Sequence, residues 1–425
     1  MRIAIVGTGI AGNVAAYYLQ ESHDITVYEA NHYVGGHTNT IDVLSSMGRL
    51  PIDTGFIVFN NHTYPNFVQL LEELGVQSID SEMSFSVRND NPDLEYSGST
   101  FNGLFAQRAN LVRPSFLRMV REILRFNQEA PKLLETGDRE TTLGEFLEEN
   151  RYSTEFVNHY LIPMGAAIWS TELEKMNTMP AHFFIRFFQN HGLLRLHDRP
   201  VWKVIKGGSR EYVRKLTETY ENQIKLGCRV ESVTRLPDKV IIRANGVEDE
   251  TFDAVFLACH SDQALNILSD PSKDETDILG AIRYQSNEAV LHTDTSVMPR
   301  RQRAWASWNY HLPTEDNKRV TLTYHMNRLQ RLDTGRQYFV TLNNAHLINP
   351  SSVIREVMYE HPLFTNTAVI AQSRKHEIDG VNRTYFCGAY WRYGFHEDGV
   401  VSALSAVKRF EAGGANAQQH FYRAS

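Results

Sequence analysis

Three glycines and one acid near the start of the chain have the spacing of a nucleotide-binding loop. Residues 2–6 (RIAIV) lead into Gly7-Thr8-Gly9-Ile10-Ala11-Gly12, and Glu29 ends a second apolar run, ITVYE. Gly7 permits a tight turn, Gly9 lets the backbone approach a pyrophosphate, and Gly12 brings a helix close to a strand. N–H groups at the start of that helix bind phosphate, and Glu29 accepts ribose hydroxyls. The predicted dinucleotide contacts here are Gly7, Gly9, Ile10, Ala11, Gly12, Glu29 and Ala30.

The elements that must position this loop come from separated parts of the chain. A second glycine pair, Gly207-Gly208, precedes a helix that Ser209 is expected to cap, and the run DAVFLACH at 253–260 is typical of a buried parallel strand. The run TYFCGAYWRYGFHEDGVVSALSAVKRF at 384–410 predicts strand, loop and helix, which Gly413-Gly414 would end. We predict an α/β fold in which an inserted substrate domain interrupts the nucleotide domain. The predicted nucleotide domain is 1–80, 200–265 and 380–415, the α+β substrate domain is 81–199 and 266–379, and the tail is 416–425.

Residues 81–200 have mainly helical periodicity. Thr142 and Glu145 have the spacing of a capping box. The stretch 115–128 predicts an amphipathic helix. Its apolar face is expected to carry Phe116, Met119, Val120, Ile123 and Leu124, and its other face Arg118, Arg121 and Arg125.

Composition excludes some classes of function. The 425 residues have a formal net charge of −7, which argues against a nucleic-acid partner. No apolar stretch has the length of a membrane span, and a first strand that begins at residue 2 predicts no signal peptide. The three cysteines, Cys228, Cys259 and Cys387, lack metal-ligand spacing and are expected to be reduced in a cytoplasmic protein. No metal site is predicted.

Taken in order, these motifs resemble those of the flavin-dependent amine oxidase superfamily. The resemblance rests on the first glycine loop, Glu29, Gly35-Gly36, Gly207-Gly208, DAVFLACH and FCGA…EDGVVSAL. That superfamily includes monoamine oxidases, phytoene-type desaturases, protoporphyrinogen oxidases and a bacterial polyunsaturated fatty acid isomerase. The resemblance implies a GR2-like, Rossmann-type FAD-binding domain. It implies FAD rather than NAD because nicotinamide dehydrogenases lack the Gly35-Gly36 segment and the closing C-terminal strand and helix.

The resemblance also implies a second set of cofactor contacts. Gly35 and Gly36 would let the backbone pass the pyrophosphate, and His37, followed by Thr38, stands where the family usually has arginine. His37 is mostly neutral near pH 7, which weakens a phosphate ion pair but leaves a hydrogen bond. Val230 lies where a mid-chain strand meets the adenine through its backbone.

At the C-terminal segment, Gly388 matches a family glycine, but Ala389 replaces the acid that follows it. Glu397 or Asp398 is the alternative source of that carboxylate. Gly399 and Val400 are expected to begin the final helix and to face the flavin pyrimidine edge, where the helix dipole favours negative charge.

Candidate catalytic residues are less sharply defined. Tyr390 or Trp391 would flank the flavin, with Tyr393 as a further aromatic, and a proton carrier is sought among His311, His325 and His396. Other aromatic residues are available as cavity walls: Trp169, Trp305, Trp308, Tyr310, Tyr324 and the phenylalanines at 183, 184, 187 and 188. Cys387 is misplaced for the covalent flavin bond of monoamine oxidases, so FAD is expected to be non-covalent.

Three hypotheses for function stay open. The first is hydride transfer from an unsaturated fatty-acyl or other lipid substrate, as desaturation or double-bond isomerisation. The second is oxidation of a small amine or polyamine, and the third is a non-catalytic flavoprotein sensor. The arginine-bearing helix at 115–128 suits peripheral membrane contact, and the oligomeric state is left open.

Overall fold

A computed structural model describes residues 1–45, 48–195, 197–313 and 319–413. The predicted tail at 416–425 and Gly414 lie outside the described residues. The fold combines a parallel sheet, a larger mixed sheet and a helical region.

The parallel sheet is built from distant stretches of chain. Its strands are β1 (Arg2–Val6), β2 (Asp24–Tyr28), β10 (Ile224–Lys225), β14 (Ala254–Leu257) and β20 (Thr384–Phe386). They lie in the order β10-β2-β1-β14-β20 and every neighbouring pair is parallel. The apolar runs of β1, β14 and β20 are buried because both faces of a parallel sheet are covered. The Rossmann-type sheet assembled from separated segments is therefore confirmed.

Helices cover one face of this sheet and a small sheet covers the other. The helices are α1 (Ile10–Leu19), α2 (Pro65–Glu73), α11 (Arg210–Thr217) and α17 (His396–Glu411), which share one apolar core with Ile3, Ile5 and Phe256. The opposite core includes Val6, Val255 and Leu257 and contains side chains of the antiparallel strands β11 (Val230–Arg235), β12 (Val240–Ala244) and β13 (Glu250–Phe252). Helices α12 (Ser261–Ile267), α13 (Lys273–Gly280), α15 (Asn366–Ser373) and α16 (Lys375–Ile378) add to this second core.

A seven-stranded sheet forms the base of the rest of the chain. Its strand order is β19 (Val353–Pro362), β15 (Tyr284–His292), β18 (Phe339–Leu342), β17 (Leu322–His325), β16 (Trp308–Leu312), β7 (Phe85–Asp90) and β8 (Asp93–Ser97). The pairs are antiparallel except β16 with β7. Smaller pairings join β3 (Thr40–Ser45) to β4 (Gly48–Asp53), and β9 (Trp202–Ile205) to both β5 (Phe59–Asn60) and β6 (Ser78–Asp80). A short helix, α14 (Met326–Leu329), follows β17.

The helical region between β8 and β9 packs on this sheet. Its helices are α3 (Phe101–Leu104), α4 (Pro114–Glu129), α5 (Leu133–Thr136), α6 (Leu143–Glu149), α7 (Thr154–Phe156), α8 (Ile162–Trp169), α9 (Leu173–Met176) and α10 (Ala181–Asn190). The predicted Thr142–Glu145 capping box is present at α6. On α4, Phe116 and Met119 are buried as predicted, but Leu124 faces outward. The prediction for Leu124 is wrong because the buried stripe of α4 continues through Glu122 and Phe126 instead.

The predicted cap of α11 is also wrong. Ser209 makes no capping hydrogen bond with its side chain. Instead its N–H donates to Asp53 at 2.9 Å, and the Arg210 N–H donates to the Thr40 hydroxyl at 3.0 Å. The caps come from β3 and β4, so the helix start is tied to the first nucleotide segment. Burial raises the pKa of Asp53 to about 6.

Candidate active site

The β1–α1 connection leaves space that the protein itself does not fill. Gly7 has φ +103°, and a Cβ on Gly12 would lie 1.9 Å from the Gly7 carbonyl oxygen. A Cβ on Gly9 would meet no atom within 4 Å, and the start of α1 has no side-chain cap. The uncapped N–H groups and the open space beside Gly9 fit a phosphate group. Ile10 and Ala11 have buried side chains, so they offer this site their backbone.

Glu29 follows β2 and lies against the same loop. Its carboxylate accepts hydrogen bonds from the N–H groups of Thr8 at 2.9 Å and Asn31 at 2.8 Å, and from the Thr8 hydroxyl. A carboxylate has about four acceptor positions, so Glu29 retains capacity for a ribose hydroxyl. Ala30, the next residue, is exposed. These groups fit the sugar end of a dinucleotide.

The Gly35-Gly36 turn brings a second segment to the loop. Both residues have positive φ, +129° and +60°, and a Cβ on Gly36 would lie 3.1 Å from the Cα of Gly9. The turn thus places His37 and Thr38 beside the start of α1. Its close approach to Gly9 agrees with the predicted passage along a pyrophosphate.

His37 belongs to a cluster of aromatic and imidazole rings. Its ring centroid lies 5.0 Å from Tyr359, 5.4 Å from His361 and 6.2 Å from His260. Burial and the like charges of the other two histidines hold the pKa of His37 well below its usual value, and burial lowers the pKa of His361 to about 4. The cluster, including Glu360 at 3.4 Å from His260 Nδ1, therefore offers hydrogen bonds near neutral pH. It does not offer the fixed charge of an arginine.

Thr38 and His396 meet at a buried polar contact. His396 Nε2 lies 2.7 Å from the Tyr212 hydroxyl and 3.1 Å from the Thr38 hydroxyl, and its ring stacks on Phe56 at 3.5 Å. Burial lowers the pKa of His396 to about 3. This imidazole is therefore neutral near pH 7, and its predicted role as a proton carrier stays a prediction. The contact locks α11, α17 and the Gly35-Gly36 segment together.

The C-terminal segment adds β20 to the side of β14 that faces away from β1. The Gly388 N–H donates to the Ser402 hydroxyl at 3.1 Å, and a Cβ there would lie 2.3 Å from Tyr390 Cε1. Tyr390 and Trp391 are buried in the core that contains Val255. In the described part of the chain, the Tyr390 hydroxyl and the Trp391 indole N–H have no hydrogen-bond partner. Their predicted place beside the flavin stays a prediction.

The start of α17 differs from the sequence prediction. The helix begins at His396, so the expectation that Gly399 and Val400 begin it is wrong. Asp398 sets the earlier start because its carboxylate accepts the N–H groups of Phe395 and Tyr393 at 2.9 and 3.2 Å. A Cβ on Gly399 would lie 2.6 Å from Ile10 Cγ2 and 3.9 Å from the Ala389 Cβ. Gly399 therefore permits the close crossing of α17 and α1.

Glu397 has a structural role that accounts for its carboxylate. It accepts hydrogen bonds from the N–H groups of Asn66 at 3.1 Å and Phe67 at 2.9 Å, at the start of α2. It thus caps that helix from a distance of more than three hundred residues in sequence. Asp398 caps α17, so both acids proposed to replace the missing family carboxylate already serve helix ends.

An aromatic cluster joins the C-terminal segment to the helical region. The ring of Phe183 lies 4.6 Å from Tyr393 and 5.1 Å from Phe364. Phe187 lies 4.7 Å from Trp169 and 5.0 Å from Phe395. The indole N–H of Trp169 donates to the Tyr393 carbonyl at 3.2 Å. We call these six residues, Trp169, Phe183, Phe187, Phe364, Tyr393 and Phe395, the aromatic wall.

His311 and His325 lie on strands of the seven-stranded sheet. His311 Nε2 is 2.7 Å from Asp90 Oδ2, and His325 Nε2 is 2.6 Å from Gln337 Oε1. Among the described residues, neither histidine has a hydrogen bond or ring contact with the glycine loops. The structure therefore does not bring these two candidates together with His396.

Val230 and two of the cysteines bear on how a flavin cofactor would be held. Val230 opens β11, pairs with Ala244, and has a buried side chain, so only its backbone is offered to an adenine. Burial raises the pKa of Cys259 and of Cys387 to about 12. A buried, protonated thiol is a poor nucleophile, which supports the prediction of non-covalent FAD.

Sequence reasoning missed His260, His361, Tyr359 and Tyr212. His260 had a usable signal because it lies three residues after the end of the parallel strand β14, and ligands bind at the carboxyl ends of such strands. The β19 residues had none, because their place depends on pairing between β15 and β19.

The described residues contain neither a metal-binding cluster nor a helix that could span a membrane. Within the described ranges, no group of His, Cys, Asp or Glu side chains could hold a metal ion. No helix of those ranges is long and apolar enough to cross a membrane.

Comparisons with known proteins agree with this geometry. The family model for flavin containing amine oxidoreductase matches residues 10–330. A triple mutant of putrescine oxidase is 16% identical with a TM-score of 0.68, over 97% of this chain and 98% of that one. A CLA-producing fatty acid isomerase from P. acnes is 17% identical with a TM-score of 0.66, over 96% and 98%. Cyclohexylamine oxidase from Brevibacterium oxydans IH-35A is 14% identical with a TM-score of 0.65, over 96% and 99%.

At these identities, the solved structures show the shared fold. No curated protein sequence matches this chain. The family match covers well over half of the 425 residues and includes α1, Glu29 and the Gly35-Gly36 turn. The chain belongs to the flavin containing amine oxidoreductase family and is an FAD-dependent oxidoreductase.

Proposed function

We propose that this oxidoreductase takes a hydride from an apolar lipid, an unsaturated fatty-acyl chain above all, in a desaturation or a double-bond isomerisation. The observation that carries the proposal is the aromatic wall. It connects the segment that follows β20 of the FAD domain with helices α8 and α10.

The chemistry of the wall suits an uncharged chain. Its six side chains are aromatic, and the two acids of the adjoining segment, Glu397 and Asp398, each already accept two backbone N–H groups. Aromatic faces bind hydrocarbon and also stabilise nearby positive charge. They therefore suit a lipid carbon that becomes electron-poor as its hydride leaves.

Bound FAD supplies a hydride acceptor, while the protein orients the substrate and excludes water. In an isomerisation, the hydride leaves one carbon of the chain and returns to another, so atoms and electrons balance without a proton carrier. The low pKa of His396, about 3, is compatible with that requirement. A desaturation would in addition need an external electron acceptor such as oxygen or a quinone.

Amine oxidation is the principal alternative. It is favoured by likeness in fold to putrescine oxidase and cyclohexylamine oxidase. The third hypothesis is a flavoprotein sensor that does not convert a substrate.

The test mixes FAD-loaded protein anaerobically with a polyunsaturated fatty acid, its phospholipid ester, and a set of monoamines and polyamines. We expect lipid to bleach the flavin band or to change its own double-bond positions, as read by mass spectrometry. Bleaching by amines alone would overturn the proposal in favour of amine oxidation. No change with either class would favour the sensor.

A variant links the result to the aromatic wall. Tyr393→Ala should lower the rate with lipid at least about tenfold, because an aromatic contact and its buried area are lost. Tyr152→Ala is the matched control, since Tyr152 is also half-buried and packs on Phe156 away from the FAD segments. Equal loss in both variants at equal FAD content would contradict a role for the wall.

A further inference from the structure

Five apolar side chains on α3, on α4 and on the segment between them are exposed at the surface. The exposed fractions are 69% for Phe101, 44% for Leu111, 80% for Val112, 43% for Leu117 and 42% for Leu124. Isolated exposed apolar residues are ordinary, but these five fall within one short stretch of chain. We call this stretch, residues 101–128, the α3–α4 face.

Spacing on α4 gathers part of this set into one stripe. Pro114, Leu117, Arg121 and Leu124 follow each other at intervals of three or four residues and are all exposed. Such residues lie one above another on a helix. The opposite side of α4 is buried through Phe116, Met119 and Phe126, so the stripe points away from the body of the protein.

The α3–α4 face has an excess of positive charge. Residues 101–128 contain five arginines and a single acid, Glu122, whereas the whole chain has a net charge of −7. Glu122 is buried and accepts the Ser153 N–H, so it does not offset the arginines at the surface. Among the described residues, Arg121 has no ion-pair or hydrogen-bond partner.

The other arginines remain available although they have local contacts. Arg118 is 2.9 Å from Glu155, and both are exposed in part. Arg125 lies over the Tyr152 ring at 4.0 Å, is 3.6 Å from Glu129 at the end of α4, and stays partly exposed. Long arginine side chains of this kind place their stems on apolar groups and their heads at a polar boundary.

We propose that the α3–α4 face docks on a lipid bilayer with anionic headgroups. Its leucines, valine and phenylalanine enter the boundary between headgroups and acyl chains, and its arginines bind lipid phosphates. A helix with apolar and basic residues on its exposed side has the composition of an interfacial helix. The negative charge of the remaining chain turns the other surfaces away from such a membrane.

Two cavities lie along the same helix. One of about 200 Å³ is lined by Arg113, Phe116 and Met119 together with Leu94 and His159, and one of about 300 Å³ is lined by residues of α4 including Arg121 and Leu124. The second of these is lined by Arg121 and Leu124 of the exposed stripe, so docking would bring it to the bilayer. Membrane binding by this face is independent of the proposed lipid chemistry, because vesicle binding is measured without turnover.

The test is co-flotation of full-length, FAD-loaded protein with vesicles of phosphatidylcholine alone or mixed with phosphatidylglycerol. We expect binding to the mixed vesicles, weakening as salt is raised, and at least about tenfold less binding to phosphatidylcholine alone. The variant Leu117→Ser/Leu124→Ser should reduce binding to mixed vesicles at least about tenfold, because it removes two apolar side chains whose transfer from water into the bilayer favours binding. Arg121→Gln should reduce it in low salt and little in high salt.

Ile370→Ser is the matched control because Ile370 is also apolar, helical and 61% exposed, but lies on α15. Unchanged binding of this variant supports the assignment. Failure of the wild type to bind mixed vesicles, or equal losses in the control and in the α4 variant, would overturn it. Loss of self-association in the α4 variant, without any vesicle binding by the wild type, would assign the face to a second copy of the chain instead.

Discussion

Replacing Gly9 with alanine should separate cofactor binding from folding. The backbone at Gly9 has φ −64° and ψ 177°, which alanine adopts without strain. Its Cβ would enter space that no protein atom occupies within 4 Å. In the absence of FAD, the loss of a favourable N-cap residue and the lower entropy of the unfolded chain oppose each other. Each amounts to about 0.5–1 kcal/mol, so the net change in unfolding free energy should stay below about 1 kcal/mol.

FAD affinity should respond much more strongly. The Cβ would hold the pyrophosphate away from the N–H groups at the start of α1. A hydrogen bond to a charged group contributes about 1.5–3 kcal/mol, so losing one raises the Kd for FAD about 10- to 100-fold. Flavin fluorescence titration of apoprotein measures this Kd, and thermal unfolding of the same apoprotein measures stability.

Two other glycines supply controls for this prediction. Gly98→Ala also enters open space, but away from the nucleotide loop, and should change neither quantity. Gly12→Ala should destabilise the apoprotein itself, because its Cβ would lie 1.9 Å from the Gly7 carbonyl oxygen. If Gly9→Ala binds FAD within about threefold of the wild type, the phosphate does not approach Gly9 and the reasoning is refuted.

Three further predictions concern buried ionisable groups. Burial lowers the pKa of His361 to about 4 and of His396 to about 3, so these groups stay neutral when folded but bind protons when unfolded below pH 6.5. The unfolding free energy should therefore be highest above that pH. Below it, the unfolding free energy should fall by up to about 1.4 kcal/mol per pH unit for each histidine. Urea unfolding of apoprotein at several pH values tests this, and a flat profile contradicts it. His37→Gln should alter FAD affinity at about pH 8 less than about threefold, because the neutral imidazole offers no ion pair there and glutamine can also form a hydrogen bond; a larger loss in the same titration would contradict this. Glu275→Gln should lower the unfolding free energy by about 1.5–3 kcal/mol, because it removes the buried one of the two carboxylates paired with Arg235 while Asp270 at 3.0 Å remains; a change below about 1 kcal/mol in urea unfolding would contradict that.

The nucleotide end of the site was predictable because its signals are local. Gly7, Gly12 and Glu29 act on residues close in sequence or on the adjacent strand, so spacing alone identifies them. The discontinuous parallel sheet was also predictable, since apolar runs such as that of β14 are typical of strands buried on both faces.

Other features depend on tertiary contacts that no local pattern encodes. The cap of α11 comes from Asp53 and Thr40, which lie more than 150 residues earlier in the chain. The histidine cluster forms only when β19 pairs with β15 and lies beside the Gly35-Gly36 turn. Leu124 is exposed because the elements that pack on α4 determine which of its side chains are buried. The number of apolar residues in the sequence of α4 does not.

The parallel sheet also fixes when the cofactor can bind during synthesis. Strand β1 pairs with β14 about 250 residues later, and β20 joins only after residue 384 has been made. Until then β14 has an open edge, and α17 is not yet in place beside α1. A growing chain therefore carries an unfinished nucleotide crevice through most of its translation, and we expect FAD loading to be a late, post-translational event.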